Sequence, residues 1–445
     1  MSSTTTNRYL SGNYAPVDQE VTVTDLPVTG TLPASLSGRY LRNGPNPVTA
    51  PEPATYHWFT GTGMVHGIRL RDGRAEWYRN RWVRNQEVAA ALGEPWWQGP
   101  VHAGMDFAPN TNVIGHAGQT LALVEAGPLP YELTDELDTV GPFDFGGTLA
   151  GGYTAHPKRD PRTGELHAIS YFWGWGNTVR YTVVDAAGSV RRTVDVEVGG
   201  PVSIHDMSLT ERFAVVYDLP VVFNIEVAMS GASFPYRWDP DYRAQIGLLG
   251  RDGATDVQWF DVEPCYVFHP LNAYDDGDRV VLDVVRHPRM FATHLLGPDE
   301  GTPTLERWTV DLTAGKVVEE RLDDRGQEFP RVDERVVGRR HRYGYTAVFL
   351  AGEDSGLIKH DLQRGTSEVR SLGRAGGACE AVFVPRAPDA AEDDGWVLSL
   401  VYDPERDASD LLVLNAADFT GAPAAVVHLP HRVPFGFHGN WVPDA

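Results

Sequence analysis

Val179-Arg-Tyr-Thr-Val-Val184 runs into Asp185-Ala-Ala-Gly188 and then into the Val-rich residues 190–198, which reads as two β-strands joined by a turn built on Gly188. Residues 308–312, Thr313-Ala-Gly315 and residues 316–322 repeat the arrangement. Outward from these hairpins, β-branched and aromatic stretches separated by Gly, Pro, Asp and Asn predict further strands at 120–125, 213–217, 257–262 and 280–285. The same signal marks 345–350, 381–384, 396–402 and 411–414. Helical periodicity is scarce, with short helices expected only near residues 85–92 and laid over one face. Many short strands at fairly even spacing predict an all-β chain, either a propeller or two sandwiches. No repeat of fixed period is visible, so a blade count cannot be read off by self-similarity. The acidic stretch around Asp389, Asp393 and Asp394 reads as an ordinary loop, because a strand pattern resumes at Trp396.

Composition narrows the function. The chain has 445 residues and a formal net charge of -22, so nucleic acid is not an expected partner: phosphate binding needs a positive surface. Its two cysteines, Cys265 and Cys379, lie far apart and outside any Cys-x-x-Cys pattern, which supports neither a disulfide framework nor a thiolate metal site. The Ser/Thr-rich start lacks the basic-then-apolar pattern of a secretory signal, and no apolar run approaches the length of a membrane-spanning helix. A cytoplasmic location is expected, with any membrane contact peripheral. No protein partner is evident.

Fifteen histidines occur, and most are expected at the surface or as hydrogen-bonded core residues. Four stand at or just beyond apolar stretches and are followed by Pro, Asp or Gly: His156, His205, His269 and His438. That context places each at a strand end or tight turn, where distant segments can assemble a metal site. Taken singly, each is more often a core histidine than a ligand. No His-Glu-x-x-His, Gly-x-Ser-x-Gly or phosphate loop appears, so local motifs leave the function open.

Eight segments, in order, change this: Gly38-Arg-Tyr-Leu-Arg-Asn-Gly-Pro-Asn-Pro47, His57-Trp-Phe-Thr-Gly-Thr-Gly-Met-Val-His66, Ala155-His-Pro-Lys158, Ile204-His-Asp206, Phe268-His-Pro-Leu-Asn-Ala273, Glu328-Phe-Pro-Arg331, Glu392-Asp-Asp-Gly-Trp-Val397 and Pro434-Phe-Gly-Phe-His-Gly439. Through them the chain resembles the carotenoid cleavage oxygenases along nearly its whole length. The resemblance implies an all-β, seven-bladed β-propeller with a dome of loops and helices over an iron centre. Residues 1–16 are expected to be a flexible N-terminal segment and residues 17–445 a single propeller oxygenase domain.

Carried over by position, the resemblance implies Fe(2+) held by His156, His205, His269 and His438. It also implies that Glu125, Glu328 and Glu380 support His205, His269 and His438, leaving His156 without a carboxylate. Each glutamate adjoins apolar strand residues, where a carboxylate is costly unless paired; the alternative is an exposed edge glutamate. Thr111 would stand beside an open coordination position and steer where O2 binds, its ordinary reading being a loop threonine bonded to backbone. The implied reaction inserts both atoms of O2 across a conjugated C=C bond of a carotenoid or apocarotenoid and gives two carbonyl products. An apolar tunnel follows, with Trp58, Phe59, Phe268 and Phe437 as its expected lining.

Stilbene-cleaving relatives usually carry a lysine immediately before the first supporting glutamate. Val124 stands there instead, so an apolar polyene is the preferred substrate and a phenolic stilbene the alternative. A second departure from the family replaces both acids of an Asp-Gly-Asp-Gly-Met turn, which is Thr60-Gly-Thr-Gly-Met64 here, and short hydroxyl-to-backbone bonds are expected in compensation. Other readings are a non-oxidative polyene isomerase of the same family, a calcium-dependent propeller hydrolase, which would need carboxylate ligands, and a non-catalytic ligand-binding propeller.

Overall fold

In a computed structural model that describes residues 7–97, 99–298, 300–348, 355–373 and 377–444, the hairpin of residues 178–197 forms the outer half of a four-stranded sheet. Six further sheets of four or five strands accompany it, making a seven-bladed β-propeller. Every predicted strand is found, although residues 349–350 of the one at 345–350 lie outside the described residues. The turn residue Gly188 has φ +87°, a conformation that favours glycine.

Burial falls outward most clearly in the blade that begins at Tyr266: the inner strand Tyr266–Asp276 is buried over its first nine residues, whereas the outer strand Lys316–Asp323 is mostly open to solvent. Other inner strands are more polar and less covered: Lys158–Arg159 is half-buried, and Gly439–Pro443 is buried only at its first residue. Outer strands alternate, as in Val190–Glu197. The seven inner strands are Asn112–His116, Lys158–Arg159, Ser208–Leu209, Tyr266–Asp276, Glu328–Arg331, Val382–Pro385 and Gly439–Pro443.

The ring is closed by the two ends of the chain. Gly439–Pro443 pairs antiparallel with Gly38–Pro45, so the last strand completes the first blade. Val28–Gly30 in turn adds to Ala425–His428 at the rim of the last. Pairing the ends removes the open edges that would otherwise unzip the ring.

Helix is confined to connections. Asn85 caps Gln86–Leu92 by accepting from Val88 N, and Gly93 ends it at φ +69°; a second short helix, Ile225–Met229, follows the strand Val221–Phe223. No helix among the described residues is long and apolar enough to cross a membrane.

The N-terminal segment of residues 1–16 is described from Asn7 onward. Residues 1–6 lie outside the described residues, but Arg8–Leu10 and Gly12–Tyr14 form tight turns, and Tyr9 packs in an aromatic cluster with Trp58, Phe329 and Phe437. The Asn7 amide donates to Tyr56 O at 2.8 Å, and Asn46 exchanges two 2.8 Å bonds with the Val17 backbone. A Ser/Thr-rich composition concealed the two tyrosines that anchor the segment.

Three buried histidines outside the axis bear on acid stability. Burial pushes His57, His66 and His167 down to about 3. His66 Nδ1 lies 2.9 Å from the Tyr78 hydroxyl and His167 Nδ1 lies 2.7 Å from that of Tyr181. Between roughly pH 6.5 and 3 the unfolded chain therefore binds protons that the folded chain refuses, so the stability these residues confer above pH 6.5 is lost as pH falls. The urea midpoint is expected to drop between pH 7.5 and 5.0, and to drop less in His66→Gln. Parallel losses in parent and variant would contradict this.

Candidate metal centre

Each inner strand begins near one end of the propeller axis, and the residues at those beginnings meet there. His156 precedes Lys158–Arg159, His205 precedes Ser208–Leu209, and His438 directly precedes Gly439–Pro443. His269 departs from the expected strand end or turn: it lies inside Tyr266–Asp276, where the register shifts on both sides of Pro270. Proline has no N–H to give the ladder, and the resulting bulge lets the strand continue past it. The approach of His438 depends on a pair of glycines, because a Cβ on Gly44 would stand 2.8 Å from Gly436 Cα.

The four histidines converge. All are buried, and one nitrogen from each lies within 4.8 Å of all the others. His205 Nε2 is 3.0 Å from His156 Nε2 and 3.2 Å from His269 Nε2. Nitrogens bound about 2.1 Å from one ion and at right angles about it stand roughly 3.0 Å apart, so the spacing fits a shared cation.

The opposite ring nitrogens point to carboxylates. His205 Nδ1 lies 2.9 Å from Glu125, His269 Nδ1 2.7 Å from Glu328, and His438 Nδ1 3.0 Å from Glu380. A neutral imidazole that donates Nδ1–H must carry its lone pair on Nε2, so three lone pairs face a common point. Without a cation they would repel. His156 has no such partner: Asp206 is 3.7 Å from its Nδ1, beyond hydrogen-bonding distance, and is held by Lys158 at 2.8 Å.

The surrounding charges match a dication. Burial raises the Glu328 carboxyl, but His269 and His287 outweigh it and hold the group well below the carboxylate range. Burial likewise opposes ionisation of Glu380, yet Arg331 and His438 bring it down to about 2. Burial and the other three imidazoles hold His156 well below its ordinary range, and burial takes His438 to about 3 despite Glu380. His205 is displaced upward, because Glu125 overcomes burial. Three carboxylates and one guanidinium leave two negative charges around four imidazoles. Four nitrogen donors without thiolate suit a first-row divalent ion.

An apolar cavity of about 840 Å³ opens on this ring. Trp58, Phe59, Phe268 and Phe437 all line it, as do Thr111, Val124 and Glu125. The Thr111 hydroxyl donates to Asn110 Oδ1 at 2.9 Å, and its carbonyl accepts from His438 N at 3.1 Å. The two substituted threonines do form the expected short bonds: Thr60 donates to His57 O at 3.0 Å and Thr62 to Asn46 O at 2.8 Å.

Two further wall residues escaped the sequence reading. His287 Nε2 meets Glu328 at 2.8 Å, a contact spanning 41 positions that no local pattern marks. Phe329 stacks on His269 at 5.2 Å with φ +51°, a left-handed backbone rare for an aromatic residue and typical of constrained functional positions. Glu328 thus serves two histidines. A glutamine offers one acceptor oxygen and a donor amide, so Glu328→Gln is expected to weaken metal binding about tenfold to a hundredfold, measured by competition with a chromophoric chelator. Unchanged affinity would remove Glu328 from the account.

A family model described as retinal pigment epithelial membrane protein matches residues 14–443. The chain is 50% identical to a carotenoid cleavage oxygenase of Mycobacterium tuberculosis, over 98% of each chain. Among solved structures, cobalt-substituted apocarotenoid oxygenase from Synechocystis superposes with a TM-score of 0.87 at 29% identity, covering 96% of this chain and 97% of that one. Lignostilbene dioxygenase from Pseudomonas brassicacearum gives 0.88 at 29% identity, covering 99% of both.

Proposed function

Because the chain belongs to the family of the carotenoid cleavage oxygenases, we propose that it is a non-haem iron(II) dioxygenase that cleaves a conjugated C=C bond of a carotenoid or apocarotenoid. One alkene and one O2 become two carbonyl products, so no electron donor is needed. The observation that carries this reading is the four-histidine ring opening into a large apolar cavity.

In this reading His156, His205, His269 and His438 are the ligands, and Glu125, Glu328 and Glu380 fix the tautomer and orientation of three of them. Iron(II) at this position would supply the binding and activation of dioxygen beside the alkene. The chain's own part is positioning. Trp58, Phe59, Phe268 and Phe437 hold a flat polyene, and the apolar wall keeps water from the reacting carbons. Thr111 has its hydroxyl committed to Asn110, so it narrows the space beside the ring without offering a proton.

The substrate preference rests on Val124, which is buried in the cavity wall directly before Glu125. A phenolic stilbene would find no ammonium there to meet its hydroxyl. Aerobic turnover of a long apocarotenal and of resveratrol by iron(II)-loaded protein, with products identified by mass, tests the reading. Shorter carbonyl products from the apocarotenal alone are expected. Cleavage of resveratrol alone would overturn the substrate, and an isomer of unchanged mass would overturn the oxidative step.

A further inference from the structure

We propose that the metal enters and leaves through a second cavity on the propeller axis, past His156, by a route separate from the apolar cavity that takes the polyene. The inference rests on the metal centre of the function proposed above. The second cavity has a volume of about 610 Å³ and is walled by residues from six of the seven inner strands. Its wall includes Lys158, Ser208, Leu271 and Asn440, each two or three residues after a ring histidine, so it continues along the inner strands from the ring. It reaches the surface at the far ends of those strands, where Ala117, Gly118 and Pro443 are exposed.

The ring stands between the two cavities. His269 and His438 line both, His205 lines only the apolar one, and His156 lines only the axial one. His156 is also the ring histidine without a carboxylate bonded to its second nitrogen, so the ligand held least firmly belongs to the axial wall. Asp206 stands 3.7 Å from its Nδ1 on that wall and is paired there with Lys158 at 2.8 Å.

Charge separates the two routes. A dication loses its hydration at great cost on entering a space lined by Trp58, Phe59, Phe268 and Phe437. The axial wall instead carries five carboxylates and four cations, so a hydrated ion meets polar partners there. Three of those cations are themselves paired: Arg39 with Asp135 at 2.9 Å, Lys158 with Asp206, and Arg331 with Glu380 at 2.9 Å. The Asp135 side chain is 72% exposed and marks the mouth of the cavity. Metal and polyene would thus use different doors, and a bound polyene would not seal the metal in.

The test follows cobalt(II) entering metal-free protein and leaving loaded protein into excess chelator, with bound metal counted after timed desalting. Ile114→Trp narrows the axial cavity at a half-buried wall position, and Asp135→Lys reverses a charge at its mouth. Each is expected to slow uptake and release by the same factor, about tenfold for the first and about threefold for the second, with affinity unchanged. An equal effect in both directions belongs to a route, whereas damage to the ring would change affinity. The Asp135→Lys effect should shrink in high salt. A long apocarotenal bound under nitrogen, its binding read by tryptophan quenching, should leave the parent's release rate unchanged. Rates matching the parent's in Ile114→Trp would overturn the inference, as would release blocked by bound apocarotenal; should the melting temperature show that variant misfolded, Asp135→Lys decides in its place. The expected rates in a protein that cleaves nothing would overturn the oxygenase reading alone, and unaltered rates in a protein that cleaves would overturn the route alone.

Discussion

His269→Ala is expected to cost the protein both its metal and its turnover. His269 Nε2 stands 3.2 Å from His205 Nε2, and its Nδ1 occupies Glu328 at 2.7 Å. Truncation removes one of four donors and leaves a buried carboxylate with His287 as its remaining histidine partner. If the free energy of binding is shared among four ligands at several kcal/mol each, the loss in affinity is about a hundredfold or more. Protein purified through a chelating step should then retain little metal and cleave no apocarotenal, with its far-ultraviolet spectrum unchanged. His66→Gln, at a buried histidine outside the ring, serves as the control and should keep its metal. A His269→Ala protein that held a full equivalent would contradict the ligand set.

Arg331→Met is expected to produce the largest loss of stability of any single substitution named here. Arg331 reaches Glu380 at 2.9 Å, and also donates to Gly439 O at 2.8 Å and Asn440 Oδ1 at 2.9 Å. It therefore ties the inner strand Glu328–Arg331 to the closing strand Gly439–Pro443 across the axis. Glu380 has a side chain only 2% exposed, and removing its cation strands a buried charge, which typically costs about 3–5 kcal/mol. His438 and the Gly439 N–H still bond to Glu380, so the lower end of that range is expected in denaturant titrations. Arg331→Lys keeps the charge but not the fork and should fall between. The Arg331→Met, Glu380→Gln double variant should be less damaged than the sum of the two. A loss below about 1 kcal/mol would contradict the role given to this pair.

The blades were legible in the sequence wherever an outer strand alternates, as at residues 190–197, because exposure on one face imprints a period of two. Their number was not legible without the family. The repeat is structural: His66 with Tyr78, and His167 with Tyr181, place the same hydrogen-bonded pair on adjacent strands of two blades, but the pairs are 12 and 14 residues apart and their neighbours differ. The strands of residues 38–45, 63–71 and 74–82 carry buried Arg, Asn and His among their apolar residues, which blurred the strand signal.

The centre shows the same division. His156 differs from His66 in no local respect that spacing can detect, and only the family resemblance separated them. Glu125 meets His205 across 80 positions and Glu380 meets His438 across 58, so the chemistry is written in contacts that the fold creates. His287 and the strained Phe329 belong to this class, since each gains its meaning from what lies opposite.

Metal reconstitution decides whether the four histidines hold an iron that the cleavage needs. Protein stripped of metal and given one equivalent of iron(II), or of zinc(II) as a comparison, would be offered an apocarotenal in air and its products identified by mass. Iron(II) alone is expected to restore cleavage to two shorter carbonyl compounds, while zinc(II) binds and leaves the substrate intact. Cleavage by the metal-free protein, or equal cleavage with zinc(II), would contradict an iron-dependent oxygenase built on the four histidines.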